Sequence, residues 1–156
     1  MKQDVVGVCT LKESPFNADH CDLSETCQKH NISWTYTPNI NSEETIKWLA
    51  GKNPDVIFCF GWSRMLGKRL LNLAPMGVIG FHPAALPANR GRHPLIWALV
   101  LGLRETASTF FFMDEGSDSG DILSQQKMEI LDKDDATTLY KRVAVCALDQ
   151  IKTFVP

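Results

Sequence analysis

The sequence lacks an excess of charge of either sign. Its 156 residues include 16 basic and 18 acidic side chains, which gives a net charge of -2. Electrostatic binding to nucleic acid or to an anionic membrane needs a basic surplus, so neither is an expected partner. No apolar run approaches the roughly 20 residues of a membrane span, and the opening MKQDVVGVCT lacks the pattern of a signal peptide. We therefore expect a cytoplasmic protein.

Cysteine is present but lacks the spacing of a metal or redox site. No C-x-x-C pair occurs among the five cysteines, an odd number: Cys9, Cys21, Cys27, Cys59 and Cys146. This pattern favours free, buried thiols over disulfides or a zinc site. His20 and His30 also lie without metal-ligand spacing, so no metal is expected.

Three common active-site loops are missing as well. The sequence has no G-x-S-x-G elbow, no Walker A motif and no G-x-G-x-x-G motif. The sequence therefore lacks the site loops of a serine hydrolase, a nucleoside-triphosphatase and a dinucleotide-binding protein. The glycine-rich stretch EGSDSGD is acidic, which makes it a poor phosphate cradle.

Short apolar runs alternate with helix-like segments along the chain. Strands are predicted at 4–10, 32–36, 55–60, 77–81, 107–113 and 121–130. Helices are predicted at 22–31, 42–51, 94–102 and 135–154. Ser42 is expected to cap the second helix and Gly51 to end it, and Pro94 opens the third. This alternation predicts one α/β domain with a mostly parallel sheet and helices on both faces.

Three loops are expected at the ligand-binding edge of this sheet, beyond the carboxyl ends of its strands. They are GWSRML (61–66), HPAALPANRGRH (82–93) and DEGSDSGD (114–121). The second loop supplies His82, and a histidine beside a carboxylate is a general acid–base pair. The residues alone do not decide whether His82 is catalytic or is a surface or capping residue. They also do not choose its partner among the acidic residues of the third loop, which are Asp114, Glu115, Asp118 and Asp121. His93 is most simply the cap of the third helix.

The three loops resemble those of the folate-dependent formyltransferases. That family includes methionyl-tRNA formyltransferase, glycinamide ribonucleotide formyltransferase and the sugar N-formyltransferases. The segments GWSRML, GFHPAALPANRG and DEGSDSGDIL carry the likeness, and the spacing from Leu66 through His82 to Asp118 matches the family without a gap. The resemblance, from about residue 4 to residue 150, implies a Rossmann-like formyltransferase domain over residues 1–156. It also implies that His82 is the catalytic histidine and Asp118 the aspartate that tunes it.

The resemblance further implies 10-formyltetrahydrofolate as the formyl donor, no metal, and a primary amine as the acceptor. The family holds the pterin ring largely through backbone groups of the first and third loops. Carried over, the cofactor-binding residues are Ser63, Arg64, Met65, Leu66, Ala85, Leu86, Pro87, Asp114, Glu115, Gly116 and Ser117. The likeness is greatest to the sugar branch, which implies a small-molecule acceptor, the amine of a nucleotide-linked amino sugar. Arg90 and Arg92 are then candidates to meet its phosphates, and plain surface arginines are the alternative.

One departure from the family lies next to His82. The family's trio is Asn-x-His with a distant Asp, and its Asn position is Gly80 here. Loss of one oxyanion donor costs on the order of 100-fold to 1000-fold in rate. We favour a working enzyme in which another group replaces the missing donor. The candidates for that group are Asn89, Ser63, a water molecule and a backbone N–H. A formyltetrahydrofolate hydrolase and a non-catalytic folate-binding or interaction module stay open as alternatives.

A second departure lies at the start of the sequence. Family members open with a strand, a glycine turn and a helix before the segment that DVVGVCT resembles, and this sequence begins at that later segment. A sheet without the first strand has two unpaired edges in its middle, which are costly unless the sheet closes or another chain fills the gap. The sequence therefore leaves open whether the protein forms a homo-oligomer. A fragment or a truncated reading frame is the alternative explanation.

Overall fold

The computed structural model describes residues 3–14 and 20–155. The elements in chain order are β1 (Val8–Thr10), α1 (Ser24–Lys29), β2 (Trp34–Tyr36), α2 (Glu43–Ala50), β3 (Ile57–Cys59), α3 (Lys68–Leu71), β4 (Val78–His82), α4 (Pro94–Val100), β5 (Glu105–Phe112), β6 (Ile122–Glu129) and α5 (Ala136–Phe154). The predicted α/β class is confirmed, because each predicted strand and helix is present, most with shorter bounds. The short helix α3 was not predicted.

The strands form two sheets. β1 and β2 pair in parallel, and a second sheet has the order β3-β4-β5-β6. β4 runs parallel to β3 but antiparallel to β5, and β5 is antiparallel to β6. The parallel part of the prediction therefore holds for β1 to β4. Between β5 and β6 the connection is shorter than the dozen or more residues that a parallel crossover needs, so these strands pair in opposite directions.

β1 and β3 each have one edge without a strand partner in the described part of the chain. β1 pairs with β2 alone, and β3 with β4 alone. Both strands border one hydrophobic cluster, in which Cys9 of β1 and Ile57 of β3 pack against buried residues such as Leu70. These are the two unpaired edges that the sequence predicts. A homo-oligomer that would cover them stays a prediction.

Helices cover both faces of the four-stranded sheet, as predicted. Val78 of β4 packs with Leu70 of α3 on one face. Ile79, the next residue, packs with Phe110 of β5 and Ala147 of α5 on the other face. This alternation follows from the period of two along a strand, and it places every second side chain of β4 on the α3 face.

The helix ends follow the sequence signals closely. Ser42 accepts a hydrogen bond from the Thr45 backbone N–H at 3.2 Å, and Gly51 ends α2, as predicted. Asp135 and Thr138 form a capping box at the start of α5. His93 is the N-cap residue of α4, as predicted, although its side chain makes no capping hydrogen bond. No helix within residues 3–14 and 20–155 is long and apolar enough to cross a membrane.

All five cysteines are free thiols. Cys27 is buried and Cys21 is exposed, so the prediction of buried thiols fails at Cys21, which lies in the polar segment before α1. Burial raises the pKa of Cys9 and of Cys59 to about 11. These two thiols therefore stay protonated and unreactive at neutral pH.

Candidate active site

A cavity of about 820 Å³ lies where the three predicted loops meet. His82 and Asp118 line it, with residues 61–65 of the first loop on one side. Residues 92–96, at the start of α4, and the first two turns of α5 line the other side. The volume is that of a site for a small molecule.

His82 ends β4 and lies in the wall of the cavity, with 6% of its surface exposed. Its Nε2 atom is 2.9 Å from the carbonyl oxygen of Asn89, and its Nδ1 atom is 3.7 Å from Asp118 Oδ2. A carbonyl oxygen only accepts, so Nε2 carries a proton and donates it. Because Nδ1 faces a carboxylate, both ring nitrogens have acceptors as neighbours.

Asp118 is fixed by the backbone of the second loop. The Gly91 N–H donates a hydrogen bond of 2.9 Å to Asp118 Oδ2, the same oxygen that faces His82. Asp118 itself has a φ of +50°, a conformation that aspartate tolerates better than most residues. Among the carboxylates that the sequence left open, Asp118 is the one beside His82.

The third loop reaches this site by a different route from the one predicted. β5 is antiparallel to β4 and ends with Phe112 opposite Ile79. At about 3.3 Å per residue, that point is roughly 10 Å from His82. The prediction that the third loop leaves the same edge of the sheet as the second loop is therefore wrong. Residues 113–118 run back along the sheet, and this return brings Asp118 to His82.

Comparison with known proteins shows the family of this chain. The family model described as formyl transferase matches residues 1–151. The chain belongs to this family. It is 32% identical over 152 residues to the GDP-perosamine N-formyltransferase of Brucella melitensis, an alignment that covers 97% of this chain and 57% of that protein. The chain thus spans little more than half the length of this relative.

Two further matches support the family. The bifunctional polymyxin resistance protein ArnA of Wigglesworthia glossinidia brevipalpis is 34% identical over 128 residues, which are 82% of this chain and 20% of that protein. The crystal structure of phosphoribosylglycinamide formyltransferase from Bacillus halodurans superposes with a TM-score of 0.78 at 25% identity. That match covers 92% of this chain and 75% of the other. The Rossmann-like formyltransferase fold is thereby confirmed.

Five of the residues predicted to bind the folate line the cavity. They are Ser63, Arg64 and Met65 in the first loop and Gly116 and Ser117 in the third. The first three are exposed residues. The structure thus brings parts of the first and third loops together around His82, while their role in binding stays a prediction.

The other predicted folate-binding residues do not line the cavity: Leu66, Ala85, Leu86, Pro87, Asp114 and Glu115. Leu66 is 6% exposed and packs in the core. Asp114 Oδ1 accepts hydrogen bonds from the Ser119 hydroxyl and the Gly116 N–H, and these bonds lower the pKa of Asp114. Glu115 lies 3.5 Å from Lys68 Nζ. Packing and local hydrogen bonds therefore account for these side chains.

Sequence reasoning missed the contribution of α5 to the cavity. Thr137, Tyr140 and Lys141 line it. They stand apart from the buried side of α5, where Leu139 and Val143 pack with α4. Polar residues on the outer side of an amphipathic helix carry no local sign of a site. Only the packing of α5 beside α4 reveals it.

Two cationic side chains, Arg92 and Lys141, line the cavity, and neither forms an ion pair with a described residue. Arg90, the other arginine proposed to meet phosphates, does not line the cavity. By contrast Arg64, on the first loop, donates a hydrogen bond to the carbonyl of Pro38. The positive charge of Arg92 and Lys141 therefore suits the cavity to an anionic ligand.

Gly80 is in tight contact with its neighbours, so the asparagine that the family resemblance places at this position does not fit without a shift. A Cβ on Gly80 would lie 2.9 Å from Met113 Cγ and 2.9 Å from two ring carbons of Phe111. Phe111 stands directly opposite Gly80 on β5 and is only 2% exposed. A side chain at position 80 therefore requires the Phe111 ring and the Met113 side chain to move.

This packing predicts a loss of stability when any side chain is added at Gly80. Gly80→Ala is expected to lower the free energy of unfolding by about 1–3 kcal/mol, because it overpacks the contact with Phe111 and Met113. Gly80→Asn should cost more. Urea denaturation followed by tryptophan fluorescence measures both.

Gly51→Ala is the matched control for this prediction. Its Cβ would meet only backbone oxygens at 3.4 Å and 3.5 Å, and its φ of -64° is open to any residue. We expect a change within about 0.5 kcal/mol. A Gly80→Ala variant as stable as this control would contradict the packing described here.

Proposed function

We propose that this chain transfers a formyl group from 10-formyltetrahydrofolate to a primary amine. One observation carries the proposal. In a member of the formyl transferase family, three loops form a cavity of about 820 Å³ in which His82 and Asp118 lie 3.7 Å apart. The names of two relatives also describe formyl transfer, one to GDP-perosamine and one to phosphoribosylglycinamide.

The reaction forms one C–N bond and breaks another. The amine nitrogen attacks the formyl carbon, and the formyl oxygen becomes an oxyanion. When the bond from the carbon to N10 of the folate breaks, N10 takes up a proton and tetrahydrofolate leaves. The amine nitrogen loses a proton in exchange, so atoms and charge balance.

His82 supplies the charge that stabilises the oxyanion. Its Nε2–H is engaged by the Asn89 carbonyl at 2.9 Å, whereas 3.7 Å from Nδ1 to Asp118 is longer than a hydrogen bond. The Nδ1–H of the imidazolium is therefore the donor available to a developing oxyanion. Asp118 balances the positive charge and, through a water, receives the proton that the amine loses.

A substitute for the family's asparagine must come from outside position 80, because Phe111 fills that space. Of the two side chains considered, Ser63 lines the cavity and Asn89 does not. We assign the second oxyanion donor to Ser63 or to a water that it holds. The exposed first loop and Gly116 and Ser117 of the third then bind the pterin ring through their backbone groups.

The acceptor is an amine that also carries phosphate. Arg92 and Lys141 line the cavity and lack ion-pair partners among the described residues. Tyr140 lies beside Lys141 and offers an aromatic face to a sugar or a base. A nucleotide-linked amino sugar fits this set, and the GDP-linked sugar in the name of one relative supports the choice.

The pair that carries the proposal is tested by His82→Ala and Asp118→Asn. Each variant should lose at least about 100-fold in the rate of formyl transfer. Binding of the folate should change little, because the ring is held by backbone groups elsewhere. Stopped-flow release of tetrahydrofolate and calorimetric titration with the donor measure the two effects.

His30→Ala and Asp132→Asn are matched controls, since both residues are exposed and lie outside the cavity. Their transfer rates should equal that of the wild type. Unchanged turnover in either site variant would refute the assigned roles. Loss of folate binding along with turnover would contradict the proposal that backbone groups bind the folate while the side chains of His82 and Asp118 carry out the reaction.

The proposed acceptor side is tested by Arg92→Ala and Lys141→Ala. Each should raise the KM for a nucleotide-linked amino sugar by about tenfold, because a charge-assisted hydrogen bond contributes about 1.5–3 kcal/mol. The KM for the folate should stay within twofold. Arg104→Ala is the control, because Arg104 pairs with Asp132 outside the cavity. Equal KM values for wild type and both cavity variants would contradict recognition of phosphate here.

A further inference from the structure

We propose that Asn41 is a positioning residue for the folate site. Its side-chain amide holds the backbone of the first loop, extended here to residues 61–67, in the conformation that binds the folate. This inference rests on the proposed function, because it concerns the loop that receives the donor. Asn41 itself lies outside the cavity and is far from the loop in sequence.

The amide of Asn41 pairs with the loop at two points. Its Nδ2 donates a hydrogen bond of 3.0 Å to the Met65 carbonyl oxygen. Its Oδ1 accepts one of 2.7 Å from the Gly67 N–H. Because a carbonyl only accepts and an N–H only donates, these partners also fix which end of the amide is oxygen and which is nitrogen. The side chain thus satisfies the loop backbone as a neighbouring strand would.

The outer side of the loop is open to solvent. Ser63, Arg64 and Met65 are exposed, whereas Leu66 is buried in the core, in the same cluster as Ile40, and Trp62 packs against that cluster. These apolar contacts hold side chains and carry no hydrogen bond to the peptide groups around Leu66. The two hydrogen bonds from Asn41 fall on the residues directly before and after Leu66, and they set the orientation of those peptides.

Asn41 is itself held in position by the segment 38–41. Its backbone N–H donates to Asn39 Oδ1 at 3.1 Å, and the Ser42 N–H donates to the Asn39 carbonyl at 3.0 Å. The same segment meets the loop a second time, where Arg64 donates to the Pro38 carbonyl. The segment therefore braces the loop from a fixed turn that leads into α2.

Close approach of the two segments depends on the glycine at the end of the loop. A Cβ on Gly67 would lie 3.1 Å from Asn41 Oδ1, tighter than an ordinary contact. Asparagine supplies one donor and one acceptor in this geometry. Aspartate lacks the donor, and leucine has the same branching and the same number of side-chain heavy atoms but lacks both. A loop held this way is ordered before the ligand arrives, which lowers the entropic cost of binding.

The test compares Asn41→Leu and Asn41→Asp with the wild type. For Asn41→Leu, the Kd and the KM for 10-formyltetrahydrofolate should rise more than threefold, to about tenfold. Its kcat and the KM for the amine should stay within twofold, because His82 and Asp118 do not contact Asn41. Asn41→Asp keeps the acceptor for the Gly67 N–H and should show a smaller rise.

A second readout does not depend on activity. In the free protein, hydrogen exchange at the Gly67 amide should be at least tenfold faster in Asn41→Leu than in the wild type, because that amide loses its acceptor. Unchanged exchange would overturn the bracing contact itself.

Ser42→Ala is the matched control, one residue along the chain. It removes the cap of α2, so it should lower the midpoint of thermal unfolding without changing folate binding. An equal rise in Kd for Ser42→Ala and Asn41→Leu would mean that general destabilisation is responsible, and would overturn the inference. So would a change of less than threefold in Asn41→Leu while the wild type binds the folate. A wild type that does not bind the folate overturns the proposed function and this inference with it.

Discussion

The hydrogen bond from the Gly91 N–H to Asp118 Oδ2 joins two loops that the sheet alone would keep apart. The second loop begins where β4 ends at His82, whereas the third loop begins beside the opposite end of β4. Without this tie, a carboxylate on a glycine-rich surface loop would be free to move through water. With it, the same oxygen that accepts from Gly91 is held 3.7 Å from His82 Nδ1, so the geometry of the pair exists before a substrate arrives.

Around this pair the cavity is lined by two unlike kinds of group. The first loop contributes exposed residues, while Arg92 and Lys141 contribute positive charge. The proposed reaction uses both: the donor is bound by the first loop, the acceptor by the two cationic side chains, and the imidazole of His82 lies at the formyl carbon.

Much of the fold is predictable from the sequence because its signals are local. Ser42 and Gly51 mark both ends of α2, and the alternation of apolar runs with helices indicates the α/β class. His82 and Asp118 were singled out in the sequence through the resemblance of the three loops to those of the formyltransferases, whereas the residues alone had left the partner of His82 open. The direction of β5 was not, because pairing between distant strands leaves no mark in the strand itself.

Features that depend on contacts between distant segments escaped sequence analysis. In the sequence, Gly80 was notable only because the family's asparagine is absent there. Its contact with Phe111 became visible when β4 and β5 were placed side by side. Lys141 was not singled out in the sequence, and its place at the cavity became visible only when α5 was seen to border it. Asn41 bonds to a loop well beyond it in sequence, a partnership that no local pattern records.

The measurement that tests the central claim most directly is the amine dependence of tetrahydrofolate release. The protein is incubated with 10-formyltetrahydrofolate, with and without a nucleotide-linked amino sugar, and tetrahydrofolate and the N-formylated sugar are both quantified. Formyl transfer predicts release that requires the amine and matches the formylated product mole for mole. Equal release without the amine would mean that water is the acceptor, and no release in either case would mean a binding protein; either result would contradict the account.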